Sequence, residues 1–261
     1  MSQYLSVSDL KDLAKEKLTG KFGNAVLVEL SYNMILFSIT FAISSIISGI
    51  TTFTVLASSG NIAGYELSFN AATLLNVLQY ILTLLCSIFG GIFNTGICLY
   101  FLNIASGRQA LLSNMFYGFQ YLFKKSLALS AVMALWNAIC LLPYNICYFI
   151  FGQTRSNQWA IYMVICMIIG MIIYVPVSLS ISQSFFLLLD FPSRSAKELL
   201  QQSIRLMKGK KKKLFLLQIS FLPLMLLGVL TFGLGNLWIN PYMNMTLALY
   251  FLDIMKPTTT E

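Results

Sequence analysis

From Ala25 to Ala57 the sequence carries a single charged side chain, Glu29. A helix needs about 20 mostly apolar residues to cross the hydrocarbon of a bilayer, and this run exceeds that length. Comparable runs follow it to the end of the chain. Inside hydrocarbon no water is available to the backbone, so each crossing must close its own hydrogen bonds, which an α-helix does within one segment. Spans are expected at about 25–50, 73–105, 126–151, 160–189, 214–231 and 236–255. The fold class is therefore all-α: a polytopic membrane helix bundle of about six transmembrane helices with amphipathic helices at its inner face. The last span is short, since its apolar part from Pro241 to Met255 covers roughly 20–25 Å against about 30 Å of hydrocarbon. Starting near Asn236, with Trp238 at the interface, lengthens it. Only 10% of the residues are charged, where soluble domains carry about 25%, so a water-soluble fold is excluded.

The polar segments between the spans fix the orientation. The longest is DFPSRSAKELLQQSIRLMKGKKKK, Asp190 to Lys213, with eight of the 17 Lys and Arg residues. Ser195 and Glu198 form an S-x-x-E capping box, predicting a helix over 196–208 that stops at Gly209, with Leu200, Ile204 and Met207 on one face. Residues 8–19 predict an interfacial helix with Ser8 as N-cap and Gly20 as its stop. Residues 106–125, with Arg108, Lys124 and Lys125 around an aromatic stretch, form a third, half-embedded inner-face segment. With both termini cytoplasmic, every basic residue but Arg155 falls on the inner side, as the positive-inside rule requires. Each of the three segments precedes a two-span hairpin, so the architecture repeats without sequence homology. The net charge of +8 sits beside membrane-length apolar runs, which matches anionic headgroups and not nucleic acid.

Few residues offer chemistry. Histidine is absent, which removes His-based acid–base catalysis and His metal sites. Cys86, Cys98, Cys140, Cys147 and Cys166 all lie in apolar runs and read as small buried hydrophobes. Glu29 sits one turn inside the first span, within reach of water or Lys21. Gly90-Gly91, Asn94 and Gly96 suit close helix packing or, on a sharper reading, a broken helix facing a substrate path. Pro176 is expected to kink span 4; Ser178/Ser182 and Ser180/Ser184 after it form small-xxx-small pairs. Pro223 is placed to bend span 5, and Asn240-Pro241 resembles an N-cap with proline at the first helical position. Asp190, Glu198 and Asp253 lie at the inner interface without a recognisable catalytic spacing. No catalytic, cofactor or metal site is expected. The binding expectation is contact of Arg205, Lys208, Lys210, Lys211, Lys212 and Lys213 with anionic lipid, at about 1 kcal/mol per charge on an anionic leaflet.

The last third, SAKELLQQSIRLMKGKKKKLFLLQISF and then TFGLGNLWINPYMNMTLALYF, resembles the C-terminal half of an uncharacterised bacterial membrane-protein family, domain of unknown function number nine hundred seventy-five. The matching positions include Ser195-Ala196-Lys197-Glu198, Met207-Lys208-Gly209, Lys213-Leu214-Phe215, Gly233, Gly235, Trp238, Pro241-Tyr242 and Tyr250. The opening LKDLAKEKLTGKFGNAVLV is similar to that family's amphipathic start. Lys212 stands where the family pattern has an aromatic, and Pro223-Leu224 where it has Gly-Trp. The resemblance implies a multi-pass bacterial membrane protein, Gram-positive in lineage, with no established activity.

The function expected is that of a non-enzymatic integral membrane protein that organises lipid or partner proteins at the inner face of the cell membrane. Its partners would be membrane lipids, anionic headgroups above all, and other membrane proteins. The alternative is a small-solute transporter or permease, suggested by the glycine and proline positions. Coupled carriers usually bury acids or arginines near the midplane, and this sequence places none there.

Overall fold

The computed structural model describes residues 4–58, 62–154, 156–231 and 233–256. Ser2, Arg155 and the tail beyond Lys256 lie outside the described residues, as does the side chain of Glu66. The described chain is all helical. In order come α1 (Val7–Leu18), α2 (Phe22–Ser58), α3 (Ile62–Ala105), a 3-10 turn (Leu112–Phe116), α4 (Tyr117–Gln120), α5 (Phe123–Thr154), α6 (Asn157–Ile181), α7 (Ser184–Asp190), α8 (Ala196–Leu206), α9 (Lys211–Ile219), α10 (Leu222–Leu230) and α11 (Asn236–Met255). Among the described residues five stretches are long and apolar enough to cross a membrane: Phe22–Ile50, Val77–Ala105, Phe123–Gly152, Asn157–Asp190 and Lys211–Leu230.

The sixth expected span, 236–255, coincides with α11 but is not among those five. Asn236, Asn240, Asn244 and Asp253 dilute its apolar surface. Its place is nevertheless well defined, because α11 returns antiparallel along α9–α10 at three levels. Lys213 pairs with Asp253, the Phe221 and Tyr242 rings meet at 5.1 Å, and Gly228 lies against Asn236.

Several boundaries differ from expectation for local reasons. α1 is capped by Ser6, not Ser8: the Ser6 hydroxyl accepts from the Asp9 N–H while the Asp9 carboxylate accepts from the Ser6 N–H. Ser8 has Lys11 three residues on, which cannot reciprocate. Gly20 does end the helix, at φ +77°. α3 begins at Ile62, ahead of the expected Thr73, and runs unbroken through Gly90-Gly91. The broken-helix reading of that pair is thus overturned. Gly91 makes room for Ser130 of α5, and Gly90 faces the Leu36 side chain of α2. Span 4 stays helical through Pro176 and is interrupted at Ser182–Gln183. Span 5 breaks at Ser220–Phe221, with Pro223 in the first turn of α10, where a missing N–H costs nothing. Pro241 is not at the start of its helix but inside α11.

The segment after α3 packs back against that helix. A Cβ on Gly96 would collide with the backbone carbonyl of Met115, and one on Gly118 with that of Ile92. Gly96 and Ile92 lie nine and thirteen residues before the end of α3 at Ala105. At 1.5 Å per residue the chain therefore folds back along α3 by roughly 14–20 Å before α5 begins.

The buried core is not spread along the bundle. It gathers Leu10, Ala14 and Leu18 of α1, Ala25 and Val28 of α2, Ile97 to Ala105 of α3, Phe185 to Leu188 of α7, Leu199 of α8, Leu214 and Leu217 of α9, and Met245 to Ile254 of α11. These segments gather where Leu5, near the start of the chain, meets Asp253 near its end. The opposite halves of α2 and α6 expose Phe37, Phe41, Ile46, Ile161, Ile168 and Ile172, the surface lipid would cover. The three helical hairpins, α2–α3, α5–α6 and α9/α10–α11, each follow a shorter helical segment: α1, the 3-10 turn with α4, and α8.

Candidate functional site

The site is best built from α8 outward. Its capping box forms as the sequence requires: the Ser195 hydroxyl accepts from the Glu198 N–H at 3.3 Å and the Glu198 carboxylate accepts from the Ser195 N–H at 3.0 Å. The Ser195 N–H, and then its hydroxyl, hold the Glu198 carboxyl below its ordinary range. Gly209, at φ +79°, ends the turn after Met207. The buried face, however, is Leu199, Ser203 and Met207, with Leu200 at its edge, and Ile204 is 47% exposed. The expected stripe is rotated because Ser203 is drawn inward. Its hydroxyl donates to the Ser180 carbonyl at 2.8 Å, which locks α8 onto the end of α6. A serine counts as polar in a periodicity reading, so this contact was invisible in the sequence. Ser180 and Ser184 are buried and Ser178 and Ser182 half-buried, so of the two serine pairs of span 4 Ser180/Ser184 is the one inside the packing.

The lysine run divides by direction. Arg205, Lys208 and Lys212 are exposed and Lys211 is half-exposed. Lys210 and Lys213 turn into the protein. Lys213 Nζ donates to the Asp253 carboxylate at 2.9 Å, and Lys210 Nζ to the Ile254 carbonyl at 3.0 Å. Both ammonium groups also face the Tyr4 ring, at 5.5 and 4.8 Å. Asp253 is 1% exposed and receives a second ammonium, Lys256 Nζ, at 3.2 Å, together with the Leu5 N–H at 3.2 Å. The neighbouring Tyr250 hydroxyl donates to the Lys210 carbonyl at 3.1 Å. One carboxylate thus ties together the start of the chain, the polybasic run and the end of α11. The sequence placed Asp253 at the inner interface and Lys213 in the run; nothing in their spacing paired them.

The other buried acid, Glu29, lies between α2 and α11. Its partner is Asn244 Nδ2, not Lys21, and Asn33 donates to the Glu29 backbone carbonyl at 2.8 Å. Among the described residues no three Cys, Asp or Glu side chains converge as a metal ion would require. Cys147 and Cys166 meet across the α5–α6 hairpin at 3.8 Å between sulfurs, a pairing of two thiols that the sequence did not suggest.

α1 does not stand apart from the bundle. Leu5 meets Asp253, and Lys15 Nζ lies 5.9 Å from the Tyr242 ring, so α1 runs antiparallel along α11 with Leu10, Ala14 and Leu18 buried. Its other face, with the α9–α10 elbow and the first half of α11, bounds an open-sided groove of about 790 Å³. Lys11 Nζ donates to the Ser220 carbonyl at 2.9 Å and sits 4.3 Å above the Phe221 ring. Partial burial, and then the charge of Lys15, lower the Lys11 pKa. Lys15 pairs with Asp12 at 3.2 Å, a hydrogen bond that raises its own pKa.

The family described as "Protein of unknown function (DUF975)" matches residues 1–258. No curated protein and no solved structure matches the chain. With five membrane-competent helices among the described residues, the chain is an integral membrane protein.

Proposed function

We propose, for a chain that belongs to the DUF975 family of proteins of unknown function, a non-enzymatic role in gathering anionic lipid at the inner face of the cell membrane. In this reading both termini are cytoplasmic. The observation that carries the proposal is the directed exposure of Arg205, Lys208 and Lys212 at the end of the bundle where α1, α8 and the end of α11 assemble the core. Cations held outward on a packed scaffold attract an anionic leaflet at about 1 kcal/mol each, within a Debye length of its surface. The long exposed apolar faces of α2 and α6, away from that end, support lipid or membrane-protein neighbours along the bundle.

The test is reconstitution of the full chain into neutral vesicles containing a small fraction of a self-quenching fluorescent anionic lipid. The wild type should increase quenching at low salt. Arg205→Gln/Lys208→Gln/Lys212→Gln should abolish the increase, and so should high salt. Equal quenching of a neutral labelled lipid would remove the proposal.

The transporter reading retains one specific support, the interruption of span 4 at Ser182–Gln183, where Gln183 Oε1 and Ser184 Oγ are buried without a hydrogen-bond partner. Solute flux above that of empty vesicles would establish it in place of the lipid role.

A further inference from the structure

The groove beside α1 changes character in one direction on all three of its walls. Along α1 the lining runs from Ser8, Lys11, Asp12 and Lys15 to buried Leu18 and exposed Thr19, and on to Phe22 of α2; along the elbow, from Ser220 to Leu224; along α11 read backward, from Tyr242 to Ile239 and Trp238, so that Thr19 is the one polar side chain at the far end. One end is therefore ammonium-lined and the other apolar. At this end Trp238 is exposed, and Phe22 begins α2, the first membrane-competent helix. The volume, about 790 Å³, lies within the roughly 300–1,000 Å³ of ligand sites.

The polar end is charge-selective. Lys11 spends one of its three N–H donors on Ser220 and Lys15 one on Asp12, leaving donors on both ammonium groups. With Asp12 counted, the end carries one net positive charge, the complement of a single phosphodiester. A soluble phosphate would meet the lysines and leave the apolar half filled with water. A neutral lipid would fill the apolar half and leave that charge uncompensated. Only a molecule with both parts matches both ends.

We propose that this groove binds one anionic glycerophospholipid, its phosphodiester between Lys11 and Lys15 and one acyl chain over Leu224 and Trp238. The site deepens the lipid-gathering reading and rests on it, but it is a saturable single site distinct from the outward cations of α8 and α9.

The experiment is native mass spectrometry of the full chain in detergent, titrated with phosphatidylglycerol or with phosphatidylcholine of the same acyl chains. One phosphatidylglycerol should be retained in preference to phosphatidylcholine. Lys11→Gln/Lys15→Gln should weaken retention by about tenfold or more, since each charge acts directly on the headgroup. Leu224→Trp, which alters no charge, should also weaken it by filling the acyl path. Thermal stability without lipid, measured for both variants, separates lost binding from lost folding. Arg205→Gln/Lys208→Gln/Lys212→Gln should keep the single bound lipid while losing the clustering described above. Glycerophosphoglycerol, the headgroup alone, should not displace the lipid at equal concentration. Equal retention of the two lipids overturns the proposal. So does displacement by the headgroup, or loss of the bound lipid in the α8–α9 triple variant but not in Lys11→Gln/Lys15→Gln.

Discussion

Glu198 accepts the Ser195 N–H most strongly while it is ionised. Its pKa, and that of Asp9 in the matching box on α1, lie below the ordinary carboxylate value. A depressed folded pKa means stability that is present above the unfolded value, about 4, and lost as pH falls through the folded one. Hydrogen exchange corrected for intrinsic rates should therefore show α1 and α8 equally protected from neutrality down to the carboxylate range, then loosening below it. Glu198→Gln keeps an acceptor that does not titrate and should remove the pH dependence from α8 alone. Ser195→Ala should loosen α8 by about 1 kcal/mol; exchange unchanged in that variant would contradict the cap. Asp253 poses a larger test. Lys213 is 23% exposed beside a carboxylate that is 1% exposed, and losing one partner of a buried pair costs about 3 kcal/mol at the low end. Lys256 is 58% exposed and its loss should cost well under 1 kcal/mol. Unfolding in detergent should thus rank Lys213→Gln far below Lys256→Gln, and equal shifts would argue against the clamp.

At the scale of elements, the glycines of α3 divide sharply. Gly96 faces the Met115 backbone carbonyl, which cannot yield without moving the whole 3-10 turn, whereas Gly90 faces the end of a leucine at 3.3 Å. Overpacking costs typically 1–3 kcal/mol, while a helix interior gains up to about 1 kcal/mol from Gly→Ala. Gly96→Ala should lower the melting temperature in detergent, and Gly90→Ala should leave it unchanged or raise it. Spacing alone marked both glycines as packing positions, because a missing side chain permits close approach anywhere along a helix. It could not say what approaches. The neighbour of Gly96 comes from a loop, and a loop's course depends on contacts far away in sequence.

On the scale of the whole molecule, contact between Leu5 and Asp253 puts the first and last described segments at one end of the bundle. In a cysteine-free background, Arg205→Cys and Lys256→Cys should therefore respond alike to a membrane-impermeant thiol reagent added from either side. Labelling of one from outside and the other only after permeabilisation would break the arrangement. The lopsided core makes a second expectation. Exchange protection should be strongest in α11, α7 and the second half of α3, and weaker in the opposite half of α6, where exposed isoleucines rely on lipid in place of protein.

The sequence alone determined the class, since apolar runs of this length leave the backbone no other way to satisfy its hydrogen bonds. It also determined α8, whose cap and stop are local chemistry within a few residues, and the position of α11. Tertiary structure decided what each polar group faces. The five lysines between Lys208 and Lys213 are alike in sequence, yet Lys210 and Lys213 serve the end of α11 while Lys208 and Lys212 point away. Leu200 and Ile204 outrank Ser203 in hydrophobicity, yet Ser203 is buried because a carbonyl of α6 awaits its hydroxyl. Hydrophobic burial depends on surface and can be read from composition, but a hydrogen bond or ion pair needs a partner at a definite distance. Here those partners lie as far apart in sequence as Leu5 and Asp253, and only the folded chain brings them within 3.2 Å.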